Sequence, residues 1–107
     1  MLILLDNSVP RPIARHLQGH VVIECRERQW DQLSNGELLA VAEAADFEVL
    51  LTTEKNIRYQ QNLRNRKIAI VVLGQGLWRL IKPMIPQLVA AVNAAAPGSY
   101  TEVEIPK

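Results

Sequence analysis

The sequence predicts an α/β fold, arranged as a three-layer sandwich with a mainly parallel central sheet. Short apolar runs with almost no polar residues alternate four times with stretches of helical character, which is typical of parallel strands covered on both faces. The length of 107 residues, with 49% hydrophobic and 21% charged residues, suits one folded unit with a buried core. We therefore expect a single domain over residues 1–107.

The first strand and the first helix are predicted near the start of the chain. Leu2–Leu5 is a continuous apolar run that stops at Asp6, which indicates a buried strand whose carboxyl end opens into a loop. A short helix is expected over Pro10–Leu17, because a proline in the first helical turn loses no hydrogen bond. Ser8 is the expected cap of this helix, and Gly19 its end.

A second strand and a well-marked helix follow. His20–Glu24 is rich in β-branched residues and predicts a strand, after which Cys25–Gln32 is a polar loop. Ser34 and Glu37 have the spacing of a capping box, in which each side chain bonds to the backbone of the other residue. The apolar spacing of residues 38–45 then predicts a helix that begins at Ser34.

The remaining elements continue the alternation. Strands are predicted at Glu48–Thr53 and Lys67–Leu73, with a helix between them that begins near Thr53 and ends at about Asn65. Two prolines interrupt the helical stretch Leu77–Ala96, so it should form two pieces or one kinked helix. Tyr100–Ile105 alternates polar and apolar residues, which indicates a half-exposed strand at an edge of the sheet.

Charge, cysteine content and hydropathy exclude several classes of protein. Twelve basic against eleven acidic residues give a net charge of +1, so any nucleic-acid binding must come from a local patch. The single cysteine, Cys25, cannot form an internal disulfide bond. No apolar run approaches the roughly 20 residues that cross a bilayer, and Met1–Asp6 lacks a basic leader. We expect a cytoplasmic protein without a membrane role.

Three carboxylates occupy positions where a parallel sheet could bring them together. Asp6 follows the first strand, Glu54 follows the third, and Glu37 lies in the first turn of the helix before the third strand. The carboxyl ends of neighbouring parallel strands share a crevice. Clustered negative charges repel, and Mg²⁺ or Mn²⁺ would offset that repulsion. Such an ion can activate water against a phosphodiester, so the pattern favours a metal-dependent nuclease.

The same positions carry a resemblance that spans nearly the whole chain in order. It rests on the segments Leu4–Pro10, Ser34–Leu39, Val49–Asn56 and Lys67–Leu73. Together these segments resemble the PIN-like family of small bacterial and archaeal proteins. The resemblance implies a fold like that of the PIN nucleases, many of which are Mg²⁺-dependent ribonucleases that act as toxins beside a small antitoxin.

The resemblance also implies roles for individual residues. Asp6 matches the acid after the first strand, Glu37 the helical acid and Glu54 the acid after the third strand. All three become candidate catalytic residues and metal ligands, with Asn56 as an auxiliary carbonyl ligand. RNA is then the expected substrate, and an antitoxin the expected protein partner.

Basic residues near these acids are candidates for holding the phosphate backbone. Lys55 and Arg58 lie within one helical turn of Glu54, and Arg11 follows the first strand. A solvated surface is the favoured explanation of the same charges, and Arg11 is a weaker candidate than Lys55 and Arg58.

Alternatives from other classes remain open. Asn7 and Asn56 stand where relatives often carry acids, which favours a binding or regulatory module with weakened or lost catalysis. A phosphoacceptor receiver domain fits less well, because Glu54 stands where that design needs an aspartate. The C-terminal strand and the tryptophans, Trp30 and Trp78, would allow a homodimer.

Overall fold

The computed structural model describes residues 1–57, 63 and 65–107. Its centre is a five-stranded sheet in which every neighbouring pair of strands is parallel. The predicted α/β class is therefore confirmed. The strands are β1 (Leu2–Leu5), β2 (Val21–Glu24), β3 (Val49–Thr52), β4 (Ala69–Leu73) and β5 (Tyr100–Val103).

The strands lie in the order β2-β1-β3-β4-β5. From β1 the chain moves to one side to form β2, and it then crosses to the other side of β1 to form β3. The direction of winding therefore changes between β1 and β3, where Leu5 lies opposite Leu51. The predicted edge position of β5 is confirmed, and β5 pairs in parallel with β4.

Buried apolar residues explain why the sheet is parallel. All residues of β3 and β4 are buried, and the central strands offer neither face to solvent. Strands with such continuous apolar sequences need helices or loops on both faces. The residues at alternate positions along each strand accordingly belong to two different core clusters.

The two cores lie on opposite faces of the sheet. One contains Ile3, Leu5 and Leu51, which pack against Ile13 and Leu88. The other contains residues from the alternate strand positions and from the helix between β2 and β3: Leu4, Leu50, Ile70, Leu38 and Leu39. Successive side chains of a strand point to opposite faces of the sheet, so alternate residues of β1 and β3 belong to different cores.

Three α-helices lie in the described part of the chain: α1 (Asn35–Ala44), α2 (Trp78–Ile81) and α3 (Ile85–Asn93). A 3₁₀ turn, Lys82–Met84, separates α2 from α3. The predicted break of the Leu77–Ala96 stretch into two pieces is therefore confirmed. Pro83 lies in the first turn of the 3₁₀ segment, and Pro86 lies in the first turn of α3. At these positions a proline removes no helical hydrogen bond.

Two local predictions need correction. The segment after β1 forms a 3₁₀ helix over Arg11–His16 that Pro10 precedes, and no side chain caps it. Ser8 therefore is not its cap, because its hydroxyl bonds to Asp6 and to the Thr53 amide. The predicted loop Cys25–Gln32 begins with a further 3₁₀ helix, Cys25–Arg28.

The helix predicted from Thr53 to about Asn65 falls largely outside the described residues, as do Arg58 and Arg64. Within the described part of the chain, no helix has the length and apolar character needed to span a membrane.

Candidate functional site at the carboxyl edge of the sheet

Asp6 lies where the winding of the sheet changes direction. It follows β1 directly, and its backbone amide donates to the carbonyl of Leu51 in β3 at 2.9 Å. Open parallel sheets bind ligands in the crevice outside the carboxyl ends of their strands at such a point. The topology therefore places Asp6 at the position in this fold where a ligand is most expected.

The carboxylate of Asp6 accepts three hydrogen bonds from its own protein. Its Oδ1 accepts from the Asn7 amide at 2.8 Å, and its Oδ2 accepts from Thr52 Oγ1 at 2.7 Å and Ser8 Oγ at 3.3 Å. Thr52, at 1% exposure, is the one buried polar residue among those described. These contacts fix the orientation of the carboxylate before any ligand arrives.

Ser8 joins the loops that follow three strands. Its hydroxyl accepts a hydrogen bond from the Thr53 amide at 3.3 Å, which links the loops after β1 and β3. A Cβ atom added at Gly76, in the loop after β4, would lie 3.0 Å from the Ser8 carbonyl oxygen. The absence of a side chain at residue 76 lets the backbone of this third loop approach so closely, since a Cβ atom there would crowd the Ser8 carbonyl.

Glu54 is held by its own loop. Its amide donates to Thr52 Oγ1 at 3.1 Å, and its carboxylate accepts from the Asn56 amide at 3.0 Å. Thr52 therefore touches both Asp6 and Glu54, through one hydroxyl. The side chain of Asn56 is exposed, and it is the backbone of Asn56 that contacts Glu54.

Glu37 occupies the capping box that the sequence predicts. Its Oε1 accepts from the Ser34 amide at 3.1 Å, and its own amide donates to Ser34 Oγ at 3.3 Å. Hydrogen bonds from the backbone and the side chain of Ser34 to the Glu37 carboxylate lower its pKa from the ordinary value. The side chain is fully exposed and negatively charged at neutral pH, so a second role as a metal ligand is chemically open to it.

Within residues 1–57, 63 and 65–107, no group of three or more His, Cys, Asp or Glu side chains is arranged to hold a metal ion. A ready-made set of three carboxylates is therefore not formed there. Mg²⁺ commonly takes one or two carboxylates and fills its remaining positions with water. The donor chemistry of Asp6 and Glu54 fits that smaller set, and the assignment of Glu37 and Asn56 as ligands stays a prediction.

Asp31 is an acidic neighbour that the sequence did not indicate. The Asn7 side chain donates from Nδ2 to the Asp31 carbonyl at 3.2 Å, which joins the loop after β1 to the loop before α1. Burial above all, and then the negative charges of Asp6 and Asp31, raise the pKa of the Cys25 thiol to about 12. Asp31 lies in a polar loop, where no strand end or helix start marks its position.

Two of the three predicted phosphate-binding residues can be placed. Arg11 is exposed, and its Nε lies 3.1 Å from Glu24 Oε1, a carboxylate that it shares with Arg26 Nε at 3.5 Å. Lys55 is exposed directly after Glu54. Arg58 lies outside the described residues.

A cleft of about 490 Å³ lies at the opposite, amino edge of the sheet. Met1, Asp46, Glu48 and Lys67 line it. These residues precede strands rather than follow them, so the cleft lies away from the edge at which parallel sheets bind ligands. Size alone therefore does not make it the candidate site.

No family model, curated protein or solved structure matches the chain significantly. The candidate site therefore rests on topology and on the contacts of Asp6.

Proposed function

We propose that this protein is a Mg²⁺-dependent nuclease of the PIN-like type, with a three-layer fold, that hydrolyses RNA, and that it serves as the toxin of a toxin–antitoxin pair. The observation that carries the proposal is the position of Asp6 at the point where the winding reverses. Three donors hold its carboxylate there. One of them, the Thr52 hydroxyl, also accepts a hydrogen bond from the amide of Glu54, the acid after the neighbouring strand. This order of acids after β1 and β3 is the one that the family resemblance implies.

The residues of the chain would divide the work as follows. Asp6 and Glu54 would hold the ion, and Glu37 and Asn56 are the further ligands that the family resemblance implies. A bound Mg²⁺ lowers the pKa of its water and offsets charge on the scissile phosphate. Thr52 keeps the Asp6 carboxylate in one orientation, because its buried hydroxyl donates at 2.7 Å. No covalent protein intermediate is needed.

Cleavage of a single-stranded RNA in Mg²⁺ or Mn²⁺ tests the proposal. Asp6→Asn removes the central charge while keeping the shape of the side chain, and it should abolish product formation. Asp46→Asn is the matched control, since it makes the same change beside the amino-edge cleft. Undiminished cleavage by Asp6→Asn would refute the assignment.

A second candidate, a binding or regulatory module with this fold, draws on a different observation. Local backbone amides already bond to the carboxylates of Glu37 and Glu54. A module that acts through protein or nucleic-acid contacts needs no metal. Calorimetric titration with Mn²⁺ separates the two functions, because the nuclease requires a saturable site that Asp6→Asn weakens.

A further inference from the structure

We propose, on the basis of the nuclease function above, that the substrate is single-stranded RNA lying across the carboxyl edge of the sheet, with one base in a cleft beyond β4 and phosphates on either side of Asp6. The relevant residues are Arg11 and Arg26 on one side and Lys55 on the other. The order of the strands in the sheet determines the order in which these residues lie along the edge.

The edge provides a path of defined length. Neighbouring strands lie about 4.8 Å apart, so the four intervals from β2 to β5 span about 19 Å. Along this path come the loop after β2, then Asp6, then Glu54 with Lys55, and then the loops after β4 and β5. Asp6 thus lies between two groups of basic residues.

The basic group beyond β2 retains positive charge despite its ion pairs. Arg11 and Arg26 share the single carboxylate of Glu24, which neutralises only one of the two guanidinium groups. Their side chains are 62% and 44% exposed. Guanidinium groups held in this way can also donate to a phosphate through their remaining N–H groups.

A cleft of about 450 Å³ lies on the other side of Asp6. Val72, Val103 and Ile105 give it an apolar floor, and its rim includes Lys55 and Gln75. The volume falls within the range of small-ligand pockets, about 300–1,000 Å³. The cleft therefore has room for a nucleobase.

The loop after β4 connects this cleft to the Asp6 site. It lines the cleft at Gly74 and Gln75, and it approaches the Ser8 carbonyl at Gly76. Across the cleft, the Tyr100 hydroxyl lies 3.4 Å from the Lys55 carbonyl and 3.2 Å from Glu102 Oε1, which joins the residue after Glu54 to β5. The cleft therefore adjoins the loops around Asp6.

The charges in the cleft favour a base over a phosphate as its occupant. Glu102 and Glu104 line it and would repel a phosphate, but their carboxylates can accept hydrogen bonds from the amino groups of a base. Lys55 and Lys107 can hold the adjoining phosphates. Bases within a duplex are stacked and paired, so only a single strand can offer one to the cleft.

The test measures binding of a short fluorescein-labelled RNA to the full chain in EDTA, where hydrolysis is blocked. Single-stranded RNA should bind more tightly than a duplex of the same sequence. Lys55→Gln should flatten the dependence of log K on log salt by about 0.7, the value for one lost phosphate contact in a single strand. Lys67→Gln, a charge change at the amino edge, is the control and should leave the slope unchanged. An abasic residue at one position should lower affinity about tenfold.

Three results would overturn this inference: no binding of the single strand, equal binding of the duplex, or equal slopes for Lys55→Gln and Lys67→Gln. The hydrolysis is assayed separately in Mg²⁺ with the same RNA. Binding as described but without any cleavage would refute the nuclease proposal and leave the RNA path intact.

Discussion

At the scale of single residues, the position of Asp6 could be predicted but its partners could not. An apolar run that stops at an aspartate places that residue at a strand end. The hydrogen bond from Thr52 to Asp6 requires β1 and β3 to be neighbours, and no local sequence pattern indicates that. The hydrogen bond from Ser8 depends on how the loop after β1 folds. For the same reason Ser8 was wrongly predicted as a helix cap, a role typical of serine before a proline-led turn.

Thr52 is the residue whose loss should most directly disturb the orientation of Asp6. Thr52→Val keeps the shape but removes the donor to Asp6 and the acceptor for the Glu54 amide. We expect a loss of about 1–3 kcal/mol in the free energy of unfolding, because the charged Asp6 carboxylate and the Glu54 amide each lose a part-buried hydrogen bond. Mn²⁺ affinity should fall as well. Thr101→Val on β5 is the control for chemical denaturation, and equal stability of the two variants would contradict the role of Thr52.

Cys25 should be chemically inert in the folded protein. Burial above all, and then the charges of Asp6 and Asp31, raise the pKa of its thiol to about 12, so the reactive thiolate is scarce at mildly alkaline pH. Iodoacetamide should label the denatured chain and leave the native chain unmodified, as mass spectrometry can measure. Rapid labelling of the native protein would show that the thiol is neither buried nor close to these acids.

At the scale of elements, the predictions that held rest on signals contained within one segment. The capping box at Ser34 and Glu37 is one such signal, and the structure confirms it. The break before α3 is another, since prolines determine it locally. The 3₁₀ helix at Cys25–Arg28 was missed, because its capping bonds join Glu24 and Glu27 within a segment that reads as a polar loop.

Glu43 connects α1 to the segment before β4, and this connection should depend on pH. Burial raises the pKa of the Glu43 carboxyl, but bonds from the Lys67 amide and the Arg66 guanidinium outweigh it and lower the pKa overall. A lowered folded pKa stabilises the protein above the ordinary value of 4.5, and the stabilisation is lost as the pH falls through the folded pKa.

Glu43→Gln should therefore cost about 1–2 kcal/mol of unfolding free energy at neutral pH, because it removes two charge-assisted hydrogen bonds. The difference from the wild type should shrink as the pH falls below 4.5 and vanish below the folded pKa of Glu43. Urea denaturation over a range of pH measures it, with the exposed Glu104→Gln as control. A difference that stays constant with pH would contradict the ionic account.

At the scale of the whole molecule, composition and hydrophobic patterning predicted a single α/β unit with buried parallel strands. They did not predict the order β2-β1-β3-β4-β5, because a buried strand has the same apolar pattern wherever it lies in the sheet. The order matters for function, since it makes β1 and β3 neighbours and brings Asp6 beside the loop that holds Glu54.

The homodimer and the antitoxin remain predictions at this scale. Both tryptophans pack within the chain: Trp30 makes an edge contact with Phe47 at 5.8 Å, and Trp78 lies 5.7 Å from His16. Among the described residues, the most exposed large hydrophobic side chains are instead those of Val21 on the edge strand β2 and Leu77 before α2. A partner that contacts apolar surface would therefore meet these residues first.

Anomalous diffraction from a crystal soaked in Mn²⁺ would show whether the carboxyl edge of the sheet holds a divalent cation on Asp6. We predict an anomalous peak within bonding distance of an Asp6 carboxylate oxygen, with Glu54 or Glu37 as the next protein ligand, and no such peak in Asp6→Asn crystals. Crystals of the wild type that show no peak at Asp6, at saturating Mn²⁺, would contradict the account.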